Sequence, residues 1–158
     1  MVNIALVCGL LVCSYTDYRY NRIYNWVTLP LIGFGLLVNG IYGRWPGFLS
    51  SLYGCIAASL PLYLAFLMGG MGGGDVKLMG AVGALKGVEF AVLAMVLSAG
   101  IGGLWALLLL VRHRKLISFL QWLLSGRQYR GTCLTLPYGI AISGGTLLAL
   151  GISLLPRG

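Results

Sequence analysis

The sequence predicts an all-α, polytopic membrane protein, a bundle of about six transmembrane helices. Three observations carry that reading. The chain of 158 residues is 59% hydrophobic and only 9% charged, with a mean hydropathy of +0.92. A soluble domain of that length needs far more charged surface. The apolar residues gather in six segments, most of them near the ~20 residues that carry a helix across the hydrocarbon core. The basic residues lie between those segments rather than inside them.

The first segment is about 2–17, within "MVNIALVCGLLVCSYTDYR". It lacks a basic leading region and an A-x-A-like cleavage site, so it is expected to be a retained first transmembrane helix rather than a signal peptide. Segments of about 26–43 and 47–68 follow. The fourth, about 75–86, has some 12 residues and is too short to span comfortably. It is expected to be tilted or sheltered by protein, with Gly83 and Gly87 as a small-xxx-small pair for close packing. The last two segments are about 88–111 and 136–155. For Gly100, Gly102, Gly103, Gly144 and Gly145, close helix approach and ordinary membrane-helix glycine content both stand. The long loop 112–135 contains the apolar stretch "KLISFLQWLLSGR" with Trp122 at its centre, either a helix lying along the interface or a plain connector. His113, among basic residues, reads as solvated rather than as a catalytic base. With no internal repeat and no soluble module, residues 1–158 form one domain.

With six crossings the basic residues sort by side. Arg19, Arg22, Lys77, Arg112, Arg114, Lys115, Arg127 and Arg130 fall on one face, and Arg44, Lys86 and Arg157 on the other. The richer face is expected to be cytoplasmic, which places both termini outside. A net charge of +8 distributed in this way reports membrane orientation and anionic lipid contact, not nucleic acid. The cysteines Cys8, Cys13, Cys55 and Cys133 form no C-x-x-C pair and read as free thiols.

Only three acidic residues remain, Asp17, Asp75 and Glu89. Glu89 falls beside Lys86 on the poorer face and receives no chemistry. The chain crosses twice between Asp17 and Asp75, so the two return to one face and to a similar depth. Asp75 has a structural alternative as a helix N-cap. Asp17 has one as an interfacial charge paired with Arg19 or Arg22. Against both, an acid near a helix C-terminus and Lys77 near a helix start oppose the helix dipole, and ionisable groups at membrane depth are costly. Two carboxylates brought together in low dielectric share a proton, one staying charged and one neutral. Such a pair can activate water and protonate a leaving amine. Gly72, Gly73 and Gly74 would let backbone pass close to the acid.

At this point the residues resemble a known family. "GGGD" at 72–75 fits the G-x-G-D motif of intramembrane aspartyl proteases, and "GGGDVKLMGAVGALKG" is similar to the type IV prepilin peptidases. "DYRYNRIYN" at 17–25 resembles their first motif, with Tyr24 at the usual proline, and "LPYGIAISGG" at 136–145 resembles their final Pro-Phe-Gly helix, with Tyr138 at the aromatic position. The length and the lack of paired C-x-x-C motifs resemble the short branch serving Flp (tight-adherence) pili. The resemblance implies an aspartic endopeptidase of the bacterial inner membrane with Asp17 and Asp75 catalytic. Gly72, Gly73, Gly74, Lys77 and Asn25 would shape the substrate site or its loop. It implies a prepilin substrate whose short basic leader is cut after glycine on the cytoplasmic side, with no metal and no cofactor for that step. Some members also methylate the new N-terminus using S-adenosylmethionine, an activity not assigned to this chain. Anionic headgroups are expected to help position the basic leader. Two other classes stay open: a small proton-coupled transporter or channel using the same two acids as a relay, and a non-catalytic assembly subunit.

Overall fold

The computed structural model describes residues 2–112 and 138–155, all of whose regular elements are α-helices. In chain order they are α1 Val2–Tyr20, α2 Asn25–Leu67, α3 Gly73–Lys86, α4 Val88–Arg112 and α5 Tyr138–Leu154. The 113–135 part of the long loop, with His113, Trp122 and Cys133, lies outside the described residues.

The 43 residues of α2 are not one straight rod. Arg44 leaves helical geometry, with φ 52° and ψ −147°, and the two arms fold back against each other. The Asn39 amide donates to the Ser51 hydroxyl at 2.6 Å, and the Ser51 hydroxyl oxygen lies 3.3 Å from the Gly35 carbonyl oxygen. Sixteen residues of continuous helix would separate those groups by about 24 Å. The elbow therefore divides α2 into the second and third apolar segments read from the sequence. Pro46 follows the elbow, where the first turn of the returning arm has no use for its missing N–H.

The same polar cluster fastens the hairpin to α3. Ser51 donates to the Ala84 carbonyl at 2.5 Å, and Asn39 donates to that carbonyl at 3.0 Å. In an apolar bundle such side chains serve as interhelical glue. Closer still, Gly54 and Gly83 bring the backbones of α2 and α3 together, each glycine facing the other's carbonyl where a Cβ would have to sit. Gly87 shares in that packing, its carbonyl carbon 3.0 Å from where a Cβ on Gly54 would sit, and it has a second role. It caps α3 at φ 82°, donating its N–H to the Gly83 carbonyl at 2.8 Å, a left-handed position that favours glycine.

α3 is about 21 Å long at 1.5 Å per residue, well short of a ~30 Å hydrocarbon core. It is sheltered instead of spanning alone. From Leu78 to Leu85 every residue is buried, so past the exposed Lys77 the helix is covered on every side as far as Leu85. α4 and α5 run antiparallel, with Gly145 against the backbone of Ser98 and Gly102 at 3.5 Å from Ala141 by the same measure. Gly100 and Gly103 face open space, so their presence is compositional.

Greasy side chains also cover the outside. Leu37 is 66% exposed, Ile41 73%, Val96 60% and Leu108 62%. In water that much apolar surface is unfavourable by about 25 cal/mol per Å²; hydrocarbon solvates it without cost. Two helical stretches are long and apolar enough to cross a membrane, Asn25–Leu67 and Val88–Leu108, and Tyr138–Leu154 is a shorter apolar helix.

Candidate active site

α1 continues one turn beyond the segment read from the sequence and carries Asp17 in its last turn. Asn21 ends it in a left-handed conformation, φ 49°, with its N–H on the Asp17 carbonyl at 2.8 Å. Asparagine tolerates that conformation better than most residues. A short link then leads to Asn25 and the start of α2. The returning arm of α2 ends near Gly69, whose φ of 76° turns the chain. α3 begins with Gly72 as its N-cap in extended geometry.

Asp75 is the third residue inside α3, so it is not the N-cap. Its acidic side chain in the first turn suits the positive end of the helix dipole. A Cβ on Gly72 would stand 3.2 Å from Asp75 Oδ2, and one on Gly74 would stand 2.8 Å from Ile23 Cβ. Gly74 therefore admits the 21–24 link onto α3, and Gly72 leaves room for the carboxylate. Gly73 meets Phe66 only at an ordinary 3.5 Å. The backbone freedom of glycine is used at Gly69, which the sequence reading passes over.

The two carboxylates come from opposite parts of the sequence into one place. Asp17 and Asp75 are each 7% exposed, and both line a cavity of about 470 Å³ with residues 21–26 and Gly72, Gly73 and Gly74. A second recess, of about 320 Å³, is lined by Val2, Asn39, Gly47 and Lys86, from the start of α1, the elbow region of α2 and the end of α3. The acids thus occupy one end of the bundle, and the first residues of the chain the other.

Asp17 is held by a helix other than its own. The backbone N–H of Gly139, in the first turn of α5, donates to Asp17 Oδ2 at 2.8 Å. "LPYGIAISGG" placed this glycine near a helix start but carried no sign of its partner. Lys77 is exposed, and its ammonium donates to Asn25 Oδ1 at 2.9 Å. It therefore ties α3 to the start of α2. Arg22 and the 89%-exposed Trp26 line the same cavity. The arrangement gives two buried carboxylates access to one cavity with room for more than water, which suits proton transfer to and from a bound molecule.

Comparison with known proteins places the chain among similar sequences. The chain is 30% identical over 104 residues to a prepilin leader peptidase/N-methyltransferase of Stutzerimonas stutzeri, covering 61% of this chain and 36% of that protein. It is 30% identical over 112 residues to the protein of the same description from Pseudomonas aeruginosa, covering 66% and 38%. With the one from Bacillus subtilis it shares 27% over 149 residues, covering 92% and 53%. The matches thus span between about a third and a half of those curated relatives. No solved structure matches the chain. Residues 4–107, well over half of its length, match the type IV leader peptidase family, and the chain belongs to it.

Proposed function

We propose that this protein is a membrane-embedded aspartic endopeptidase that removes the short basic leader from type IV prepilins of the Flp kind. It would cut after glycine at the cytoplasmic face of the bacterial inner membrane. The observation that carries the reading is the meeting of Asp17 and Asp75 in one cavity, in a chain of the leader peptidase family. The outward apolar surface supports a bilayer setting. The segment parity supports six crossings with both termini outside.

In the proposed reaction, the ionised carboxylate takes a proton from a water, whose oxygen attacks the scissile carbonyl carbon. The neutral carboxyl gives its proton to the carbonyl oxygen, leaving a gem-diol. Collapse of the gem-diol breaks the C–N bond. One proton passes from a diol hydroxyl to a carboxylate and another reaches the departing amine, so the dyad ends as it began. No covalent intermediate and no metal enters. Gly72 and Gly74 keep the approach free of side chains. Anionic headgroups help hold the basic leader at the same face.

Purified protein in liposomes is expected to convert an Flp-type prepilin to a product whose new N-terminus follows the leader's glycine, as read by mass spectrometry. Acid-dependent ion flux with intact prepilin would replace this reading with the transporter one.

The Lys77–Asn25 bond is proposed to hold the 21–25 link over the cavity. Lys77→Met and Asn25→Ala are each expected to lower kcat/KM by about threefold to tenfold, and the double variant to be no worse than either one, because both delete a single interaction. Losses that multiply in the double variant would show that the two residues act separately.

A further inference from the structure

Asp17 owes its position to a backbone group far away in the chain. Its Oδ2 accepts the Gly139 N–H at 2.8 Å across 122 residues of sequence. A Cβ added at Gly139 would lie 2.7 Å from Oδ2 and 3.0 Å from Cγ of Asp17, closer than such atoms approach one another. Gly139 is itself buried, so the carboxylate could make room for that carbon only by swinging toward the cavity and away from the Gly139 N–H. The first-turn amides of a helix lack partners within it, and here one is spent on an acid of another helix. The Ser143 hydroxyl donates to the Gly139 carbonyl at 2.7 Å and lies 3.3 Å from the Leu10 carbonyl. The start of α5 is thereby docked on α1 just where Asp17 stands.

We propose that Gly139 is a positioning residue for the reaction. Its N–H fixes one oxygen of Asp17, so that the other is left to meet water and Asp75, and its missing side chain makes that contact possible. The inference rests on the aspartic-dyad reading above. Among the described residues, the titratable and charged groups facing Asp17 are Asp75 from α3, Cys13 one turn earlier on α1, and Arg22 in the shared cavity. α5 supplies the backbone donors of that environment, with the Gly139 N–H at 2.8 Å and the Ile140 N–H beside it.

Two variants test it, with Gly151→Ala as a control on the same helix, at a site with nothing within 4 Å of the added Cβ. Gly139→Ala adds the offending carbon. An amide-to-ester replacement at Gly139, introduced by ligating a synthetic 133–158 segment at Cys133, deletes the donor and adds no bulk. With prepilin cleavage as the assay, both variants are expected to lose about tenfold or more in kcat, with KM within about twofold of wild type. Their pH–rate profiles are expected to be displaced from the wild-type curve, and that of Gly151→Ala to coincide with it. An ester variant with wild-type kcat and pH profile overturns the proposal, even if Gly139→Ala misfolds, because Gly139 is then a packing residue only. If the wild-type protein itself fails to cleave, it is the peptidase reading that falls.

Discussion

Asp17→Asn and Asp75→Asn are each expected to reduce prepilin cleavage by about 10²- to 10⁴-fold, the usual contribution of a positioned acid or base. The double variant is expected to be little worse than either single one, since residues that act as a unit are not additive. The reason lies in the division of labour of the proposed reaction, in which the charged carboxylate withdraws a proton from water while the neutral one donates. An amide side chain has neither capability at any working pH, yet it matches the carboxyl group in size. Both acids are buried at 7% exposure and face one cavity, so with either one replaced no more than a single charge is left to bury. The variants should therefore fold at least as well as wild type, and size-exclusion elution in detergent checks this. The two roles should be equally indispensable. A variant of either residue that cleaved near the wild-type rate while remaining folded would remove that residue from the chemistry, and Glu89 at the end where α3 hands over to α4 offers no replacement.

How much of this arrangement is legible in the sequence depends on whether the signal is local. The apolar segments and their alternation are written in composition, so the gathering of Asp17 and Asp75 at one end follows from counting crossings. The shortness of the 75–86 segment foretells a sheltered helix, and α3 is buried throughout Leu78–Leu85. The first helix is misjudged by only one turn, because Tyr18, Arg19 and Tyr20 look interfacial while the helix runs on to Asn21. Long-range pairings have no such local signature. Nothing near Lys77 names Asn25 as its partner 52 residues away, and nothing near Gly139 names Asp17. Glycine is the least legible residue of all, because one letter covers three physical uses. Gly69 and Gly87 serve through positive φ, Gly54 and Gly83 through contact, and Gly100 and Gly103 through neither. Sequence spacing cannot separate these, since each depends on what another helix brings to the position.

That sorting of glycines leads to a stability prediction of comparable size. Gly83→Ala is expected to destabilise the protein by about 2–3 kcal/mol, and Gly83→Val by more, in the range of overpacked cores. The added Cβ would occupy the position of the Gly54 carbonyl, and a backbone group cannot rotate away as a side chain can. The two helices must separate along their length instead. Separation would also strain the bonds from Asn39 and Ser51 to the Ala84 carbonyl one residue on, and would shift the start of α3 with Asp75 upon it. Gly103→Ala is the counterpart. Its site on α4 is open, so alanine brings only its better helix propensity, worth up to about 1 kcal/mol. Thermal unfolding of detergent-solubilised protein, followed by the loss of its monodisperse elution peak, separates the two cases. Gly54→Ala should resemble Gly83→Ala, and the double variant should fall short of their sum, because a single backbone crossing is broken by both. Equal stability of Gly83→Ala and Gly103→Ala would mean that α2 and α3 do not meet backbone to backbone, and that the helix presenting Asp75 is held in place by something else.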